Sequence, residues 1–158
     1  MFGAGCFWSP EAEFRTMPGV TATAVGFSGG HVDNPTYRMV CNKDTGHAEV
    51  ILVEFDPAVV TYQHLVESFF DMHSPSYWSP GNQYRSAIFT FDDDQDETAK
   101  KVRDALREKG DRILTEITPA TQFWMAEEYH QQYAEKRGRT TPSSCGALFD
   151  PAAAATAS

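Results

Sequence analysis

Ala48-Glu49-Val50-Ile51-Leu52-Val53-Glu54-Phe55, closed by Asp56-Pro57, is the clearest strand in this 158-residue chain. Its run is rich in β-branched and large apolar side chains, and the closing proline cannot donate to a ladder. Thr61 follows where it can cap a helix over 62–73, in which Leu65, Phe69 and Met72 share a face beside Val66 and Phe70. Outward from this pair, Val20 to Phe27 reads as a buried strand closed by Ser28-Gly29-Gly30. Tyr84 to Phe91 reads as another, and Ile113 to Thr118 as a short one. Helices are expected over 10–17, ended by Pro18-Gly19, briefly over 37–41, from Asp92-Asp93-Asp94 to Lys109, and over 126–136. The third of these has an acidic start, Arg107 and Lys109 near its end, and a core face of Ala99, Val102 and Leu106. Connections are long and few strands are purely apolar. The chain therefore reads as α+β, with helices packed on a mostly antiparallel or mixed sheet.

Composition narrows the class of function. The length is that of one domain with a real core, and 41% hydrophobic content with 13% aromatic residues is that of a globular protein. Thirteen Lys and Arg against 22 Asp and Glu leave a net charge of −9, which argues against nucleic acid or an anionic membrane surface as the main partner. No apolar run approaches a membrane span and no signal peptide precedes Cys6, so a cytoplasmic location is expected. Cys6, Cys41 and Cys145 form no CxxC pair, and five histidines show no HxxxH or HExxH spacing, so neither a disulfide scaffold nor a metal site is expected.

Reactive chemistry is concentrated at the start. Gly3-Ala4-Gly5-Cys6-Phe7-Trp8 places a lone cysteine beside two large apolar side chains, just ahead of Ser9-Pro10, which reads as an N-cap and first helical residue. A helix start favours thiolate over thiol, and the two glycines allow a sharp turn. A small packed core cysteine is the other reading of the same residues. Gly3-Ala4-Gly5 lacks the third glycine of a dinucleotide loop. Glu49, at the start of an apolar strand, is either a buried carboxyl with a raised pKa or a solvent-facing strand residue.

Gly5-Cys6-Phe7-Trp8 is followed by Gly26-Phe27-Ser28-Gly29-Gly30, Pro35-Thr36-Tyr37, Val40-Cys41 and Thr45-Gly46-His47-Ala48-Glu49. Gln83-Tyr84-Arg85-Ser86 and Ala126-Glu127-Glu128-Tyr129-His130-Gln131 complete the series. In order and spacing these motifs, across residues 2 to 136, resemble the A-type peptide methionine sulfoxide reductases. The resemblance implies a two-layer α/β sandwich with a ferredoxin-like core and long wrapping loops. It implies a thiol-dependent oxidoreductase acting on the S-epimer of methionine sulfoxide, free or protein-bound, as a monomer without cofactor or metal.

By the same matching Cys6 attacks the sulfur and becomes a sulfenic acid, while Phe7 and Trp8 hold the methyl group. Glu49 protonates the departing oxygen, and Tyr37 and Tyr84 donate phenolic hydrogens to it. Cys41 matches a packing position, whereas Cys145 in Ser143-Ser144-Cys145-Gly146 can resolve the sulfenic acid for reduction by thioredoxin. The domain plan is a catalytic domain over 1–137, a flexible segment over 138–150 carrying Cys145, and a disordered tail over 151–158.

One stretch departs from the family. Ser74-Pro75-Ser76-Tyr77-Trp78-Ser79-Pro80-Gly81-Asn82 is shorter than usual and lacks an aspartate that binds the substrate backbone, and Ser9 stands where glycine is usual. Trp78 either forms a replacement wall of the pocket or partly occludes it, and relaxed recognition of the peptide backbone is expected. The same chemistry on another small methyl sulfoxide, or a non-catalytic redox-sensing or sulfoxide-binding module, are the alternative functions.

Overall fold

The computed structural model describes residues 1–42, 44–76 and 82–138. Trp78, Cys145 and the segments 139–150 and 151–158 lie outside the described residues. Six strands form one mixed sheet: β1 (Phe2–Ala4), β2 (Val20–Ser28), β3 (Ala48–Phe55), β4 (Ser86–Thr90), β5 (Glu116–Pro119) and β6 (Trp124–Met125), in the order β5-β4-β1-β3-β2-β6. All neighbours are antiparallel except β4 and β5. The helices are α1 (Trp8–Thr16), α2 (Tyr37–Asn42), α3 (Tyr62–Asp71), α4 (Asp93–Glu108) and α5 (Tyr133–Lys136). The chain is α+β, as expected.

Alternation along the strands divides the core. Phe2, Val25, Ile51 and Ile88 point to one face, where Phe14 of α1, Leu65 and Phe69 of α3, and Ala99 and Val102 of α4 cover them. Val50, Leu52, Ala87 and Phe89 point to the other, against Met1, Ala120 and Phe123. Burial on both faces is why β3 reads as a nearly continuous apolar run. Each such large side chain contributes about 1.5–3 kcal/mol of burial. The expected cap at Thr61 forms, its hydroxyl accepting the His64 N–H at 3.1 Å, and the Asp92 carboxylate likewise accepts the Gln95 N–H at 2.7 Å, a cap that the acidic run did not by itself announce.

Several local expectations are corrected. Ser9 is not the cap: α1 begins at Trp8, two residues before the expected start, Phe7 occupies the cap position without a side-chain bond, and Ser9 and Pro10 lie inside the first turn. Phe2–Ala4, for which the sequence pattern announces no element, is a central strand that pairs on both sides, and a Cβ at Gly3 would crowd the Arg85 carbonyl at 3.2 Å. The strand expected from Ile113 starts at Glu116. The Ile113 carbonyl already accepts from Arg107, and the Leu114 N–H bonds to the Pro75 carbonyl, so neither group is free for the ladder. The helix expected over 126–136 is broken. The Ala126 N–H bonds to the Val25 carbonyl, a 3-10 turn spans Glu128–His130, and Gln132 turns left-handed at φ 49° before α5.

Candidate active site

The topology gathers the candidate residues at one end of the sheet. Gly5, at φ 84°, turns the chain out of central β1 so that Cys6 precedes α1. Glu49 is the second residue of β3 and lies beside the end of β1, and its N–H bonds to the Gln83 carbonyl at 2.8 Å. That bond brings Tyr84, just ahead of β4, to the same end. Tyr37 and Cys41 arrive on α2, after β2. His47 is structural: its Nδ1 accepts the Gly30 N–H at 3.0 Å and its Nε2 bonds to the Val32 carbonyl at 2.7 Å, fixing the turn ahead of Glu49.

Cys6 is exposed and free. The Trp8 N–H at the start of α1 favours its thiolate, as a helix start should. Burial nevertheless outweighs it and pushes the thiol up, and the nearby Glu49 and Cys41 charges act in the same direction. The helix-start preference for thiolate is therefore opposed by desolvation of the sulfur.

Glu49 is completely buried, and neither carboxylate oxygen has a hydrogen-bond partner. Burial pushes its carboxyl up to about 8, with the Phe7 backbone N–H acting in the opposite direction. An unpartnered buried carboxyl is costly, and it holds a proton that it can deliver to any oxygen placed against it.

Tyr37 is half-buried and Tyr84 exposed. Burial and, more weakly, the Glu49 charge suppress ionisation of both phenols, so each keeps its donor hydrogen. The Tyr37 phenol also interacts with Tyr84 and Cys41. Cys41 does not pack into the core. It is exposed, and Gln83 Nε2 donates to its sulfur at 3.3 Å.

Phe7 and Trp8 take different positions. Phe7 is fully buried, with ring centroids of Phe27 at 6.0 Å and His130 at 5.3 Å. Trp8 is half-buried, stacks flat on Tyr133 at 3.7 Å, and donates from Nε1 to His130 Nδ1 at 3.0 Å. A cavity of about 400 Å³ lies here, lined by Cys6, Trp8, Ala12, Tyr133 and Ala134 among others. Cys6, Glu49, Tyr37 and Tyr84 are thus drawn into one electrostatically coupled cluster, with Trp8 at its edge.

His130, Glu127 and Tyr133 escaped residue-by-residue reading. His130 is fully buried, its burial favours the neutral ring, and accepting the Trp8 bond at Nδ1 leaves the hydrogen on Nε2. Glu127 accepts the Tyr37 N–H at 2.9 Å and so ties α2 to the turn that carries His130. The signal was present in Ala126 to Gln131, but a continuous helix there hides which side chains turn inward.

A thiol, a buried carboxyl with a raised pKa, two phenols and an indole drawn to one end of the sheet can bind a polar oxygen next to an electrophilic sulfur. The family model for peptide methionine sulfoxide reductase matches residues 1–153. The chain belongs to that family. Among relatives of this peptide methionine sulfoxide reductase, the MsrA enzyme of Geobacter sulfurreducens is 50% identical over 145 residues, covering 87% of this chain and 90% of its own. The reduced form of Mxr1 from Saccharomyces cerevisiae matches at a TM-score of 0.81 and 31% identity, over 94% of this chain and 90% of that one. Mxr1 in complex with Trx2 matches at 0.61 and 26% identity, over 84% and 81%. The chain is accordingly an oxidoreductase of the methionine sulfoxide reductase A type, and no described helix is long and apolar enough to cross a membrane.

Proposed function

We propose that this chain reduces the S-epimer of methionine sulfoxide through a sulfenic acid on Cys6, which Cys145 resolves and thioredoxin recycles. The observation that carries the reading is Glu49: a fully buried carboxyl with both oxygens unpartnered, beside an exposed thiol and two phenols. The sulfoxide oxygen would supply the missing partner. When the pair holds one proton, as thiol and carboxylate, the Cys6 proton passes to Glu49, the thiolate attacks sulfur, and Glu49 returns the proton to the oxygen as the S–O bond breaks, with Tyr37 and Tyr84 donating to that oxygen. Oxygen ends on Cys6 as sulfenic acid and the sulfide leaves. The Cys145 thiol then displaces water to form a Cys6–Cys145 disulfide, which a dithiol reduces. The Trx2 complex of the yeast relative supports thioredoxin as that dithiol.

Phe7 and Trp8 are read as the methyl berth and Trp78 as a further wall. The helices on one sheet face are read as a ferredoxin-like core with wrapping loops, in a catalytic domain over 1–137 followed by a thiol-bearing segment and a tail. We place it as a monomer in the cytoplasm.

The test is an assay on racemic methionine sulfoxide with dithiothreitol as reductant. Consumption should stop when the S-epimer is gone. Strong activity on the R-epimer would contradict the sulfur pocket inferred from Trp8, Glu49 and the tyrosines.

The pH dependence follows from two raised groups. Glu49 titrates near 8, and the Cys6 thiol is held above its ordinary value of 9.0. The reactive arrangement, thiolate with neutral acid, has one proton on the pair, the same number as the more populated arrangement of thiol with carboxylate. Turnover at low substrate should therefore climb as pH rises through about 8, as the pair gives up its first proton. It should fall only where Cys6 itself ionises. A decline beginning near 8 would mean that attack does not draw on the Cys6 proton.

A further inference from the structure

Behind the Trp8–Tyr133 pair lies a buried polar network that the proposed chemistry does not use. Glu11 of α1 is 1% exposed. One carboxylate oxygen accepts the Gln132 backbone N–H at 2.7 Å; the other accepts the Thr23 hydroxyl at 2.9 Å and Gln132 Nε2 at 3.3 Å. Thr23 also accepts from Arg15 Nη1 at 3.3 Å, and Arg15 pairs through Nε and Nη2 with Glu135 of α5. Three elements, α1, β2 and the segment leading into α5, are tied through one carboxylate.

The atom held most tightly is significant. Gln132 is one of two described non-glycine residues with positive φ, at 49°. A left-handed glutamine costs about 1–2 kcal/mol and persists only where its surroundings over-determine it. Its successor is Tyr133, which lies flat on Trp8, with an interplanar angle of 4° and ring centroids 3.7 Å apart. Both rings line the cavity that opens at Cys6.

We propose that Glu11 is a positioning residue for the aromatic wall beside Cys6: by clamping the left-handed Gln132, it sets Tyr133 on Trp8 and fixes one side of the substrate pocket. This rests on the reductase reading above. A carboxylate suits the task because its two oxygens offer several acceptor sites, which alanine lacks and an amide supplies on one oxygen only. Glu11 touches no reacting atom. Its loss should act on substrate binding more than on the chemical step.

The experiment uses the full chain, with steady-state kinetics on methionine sulfoxide and amide hydrogen exchange at Gln132 and Tyr133. In Glu11→Ala, exchange at the Gln132 amide should rise at least about tenfold. KM should rise on the order of tenfold with kcat within about threefold of the parent. Glu11→Gln, whose remaining carbonyl oxygen can still accept the Gln132 N–H, should restore most of both. A purely stabilising role predicts a lower melting temperature with KM unchanged, and an unchanged KM in folded Glu11→Ala overturns the proposal. If alanine does not fold, Glu11→Asp keeps the charge but withdraws it by one methylene. KM should then rise severalfold, and an unchanged value overturns the proposal equally. A parent chain inactive on every sulfoxide overturns the reductase reading and the proposal with it. An active parent with insensitive KM overturns the proposal alone.

Discussion

Cys6→Ser should remove methionine sulfoxide reduction altogether, with dithiothreitol as reductant and methionine formed as the readout. The reason is chemical. Oxygen transfer needs an atom that accepts oxygen and can later lose it to a thiol, and sulfur does both while a hydroxyl does neither. Cys41 is the natural objection, because it is exposed and lies close enough to Cys6 for their charges to interact. Its sulfur accepts from Gln83, and it sits on α2 rather than at the turn out of β1. Cys41→Ser should therefore retain turnover close to the parent. Equal rates in Cys6→Ser and parent would sink the mechanism, and residual turnover lost only in the double variant would move the nucleophile to Cys41.

Glu49→Gln should lower kcat by about two to four orders of magnitude with a much smaller change in KM, the range expected for losing a general acid. The amide keeps the side chain's shape and can still bond to the sulfoxide oxygen, but it has no proton to give. A loss below about tenfold would assign the acid to another group. The same variant carries a stability signature of known sign. The unfolded carboxyl titrates near 4.5 and the folded one near 8, so the folded protein binds this proton more tightly. Stability contributed by Glu49 therefore falls as pH rises from 4.5 to about 8 and stays low above it. Removing the ionisable group should raise the melting temperature near pH 8 and leave it little changed near pH 4. Lower turnover with higher stability is the mark of a residue strained for function.

Much of this was legible in the chain. The strand over Ala48–Phe55, the cap at Thr61, and the α+β class follow from local pattern and turn chemistry, and the structure has them. Where tertiary pairing sets the backbone, local reading fails. Phe2–Ala4 is only three residues long and has a glycine at its middle, yet it is central because Ile51 and Ile88 flank it. The segment over 126–136 has helical composition, but Gln131 spends its side chain on Val25 and Ala126, and Glu11 captures Gln132. No local rule anticipates either bond. At the site, the positions of Cys6 and Glu49 were legible from their motifs, whereas the apolar strand around Glu49 left its burial open between two readings. The environment of the Cys6 sulfur was legible only in part, because a helix start is visible in sequence while the desolvation that opposes it is not. The support from His130 and Tyr133 was missed for the same reason: both act through contacts more than 120 residues away in the chain.

The most direct test of the central claim is a single turnover on the S-epimer, without reductant, in the parent and in Cys145→Ser. The account predicts one methionine per chain in both. The parent should lose two thiols and yield a Cys6–Cys145 disulfide by peptide mapping, whereas Cys145→Ser should lose one and hold a sulfenic acid on Cys6 that dimedone traps. Methionine formed without a modified Cys6, or a Cys6–Cys41 disulfide in the parent, would contradict it.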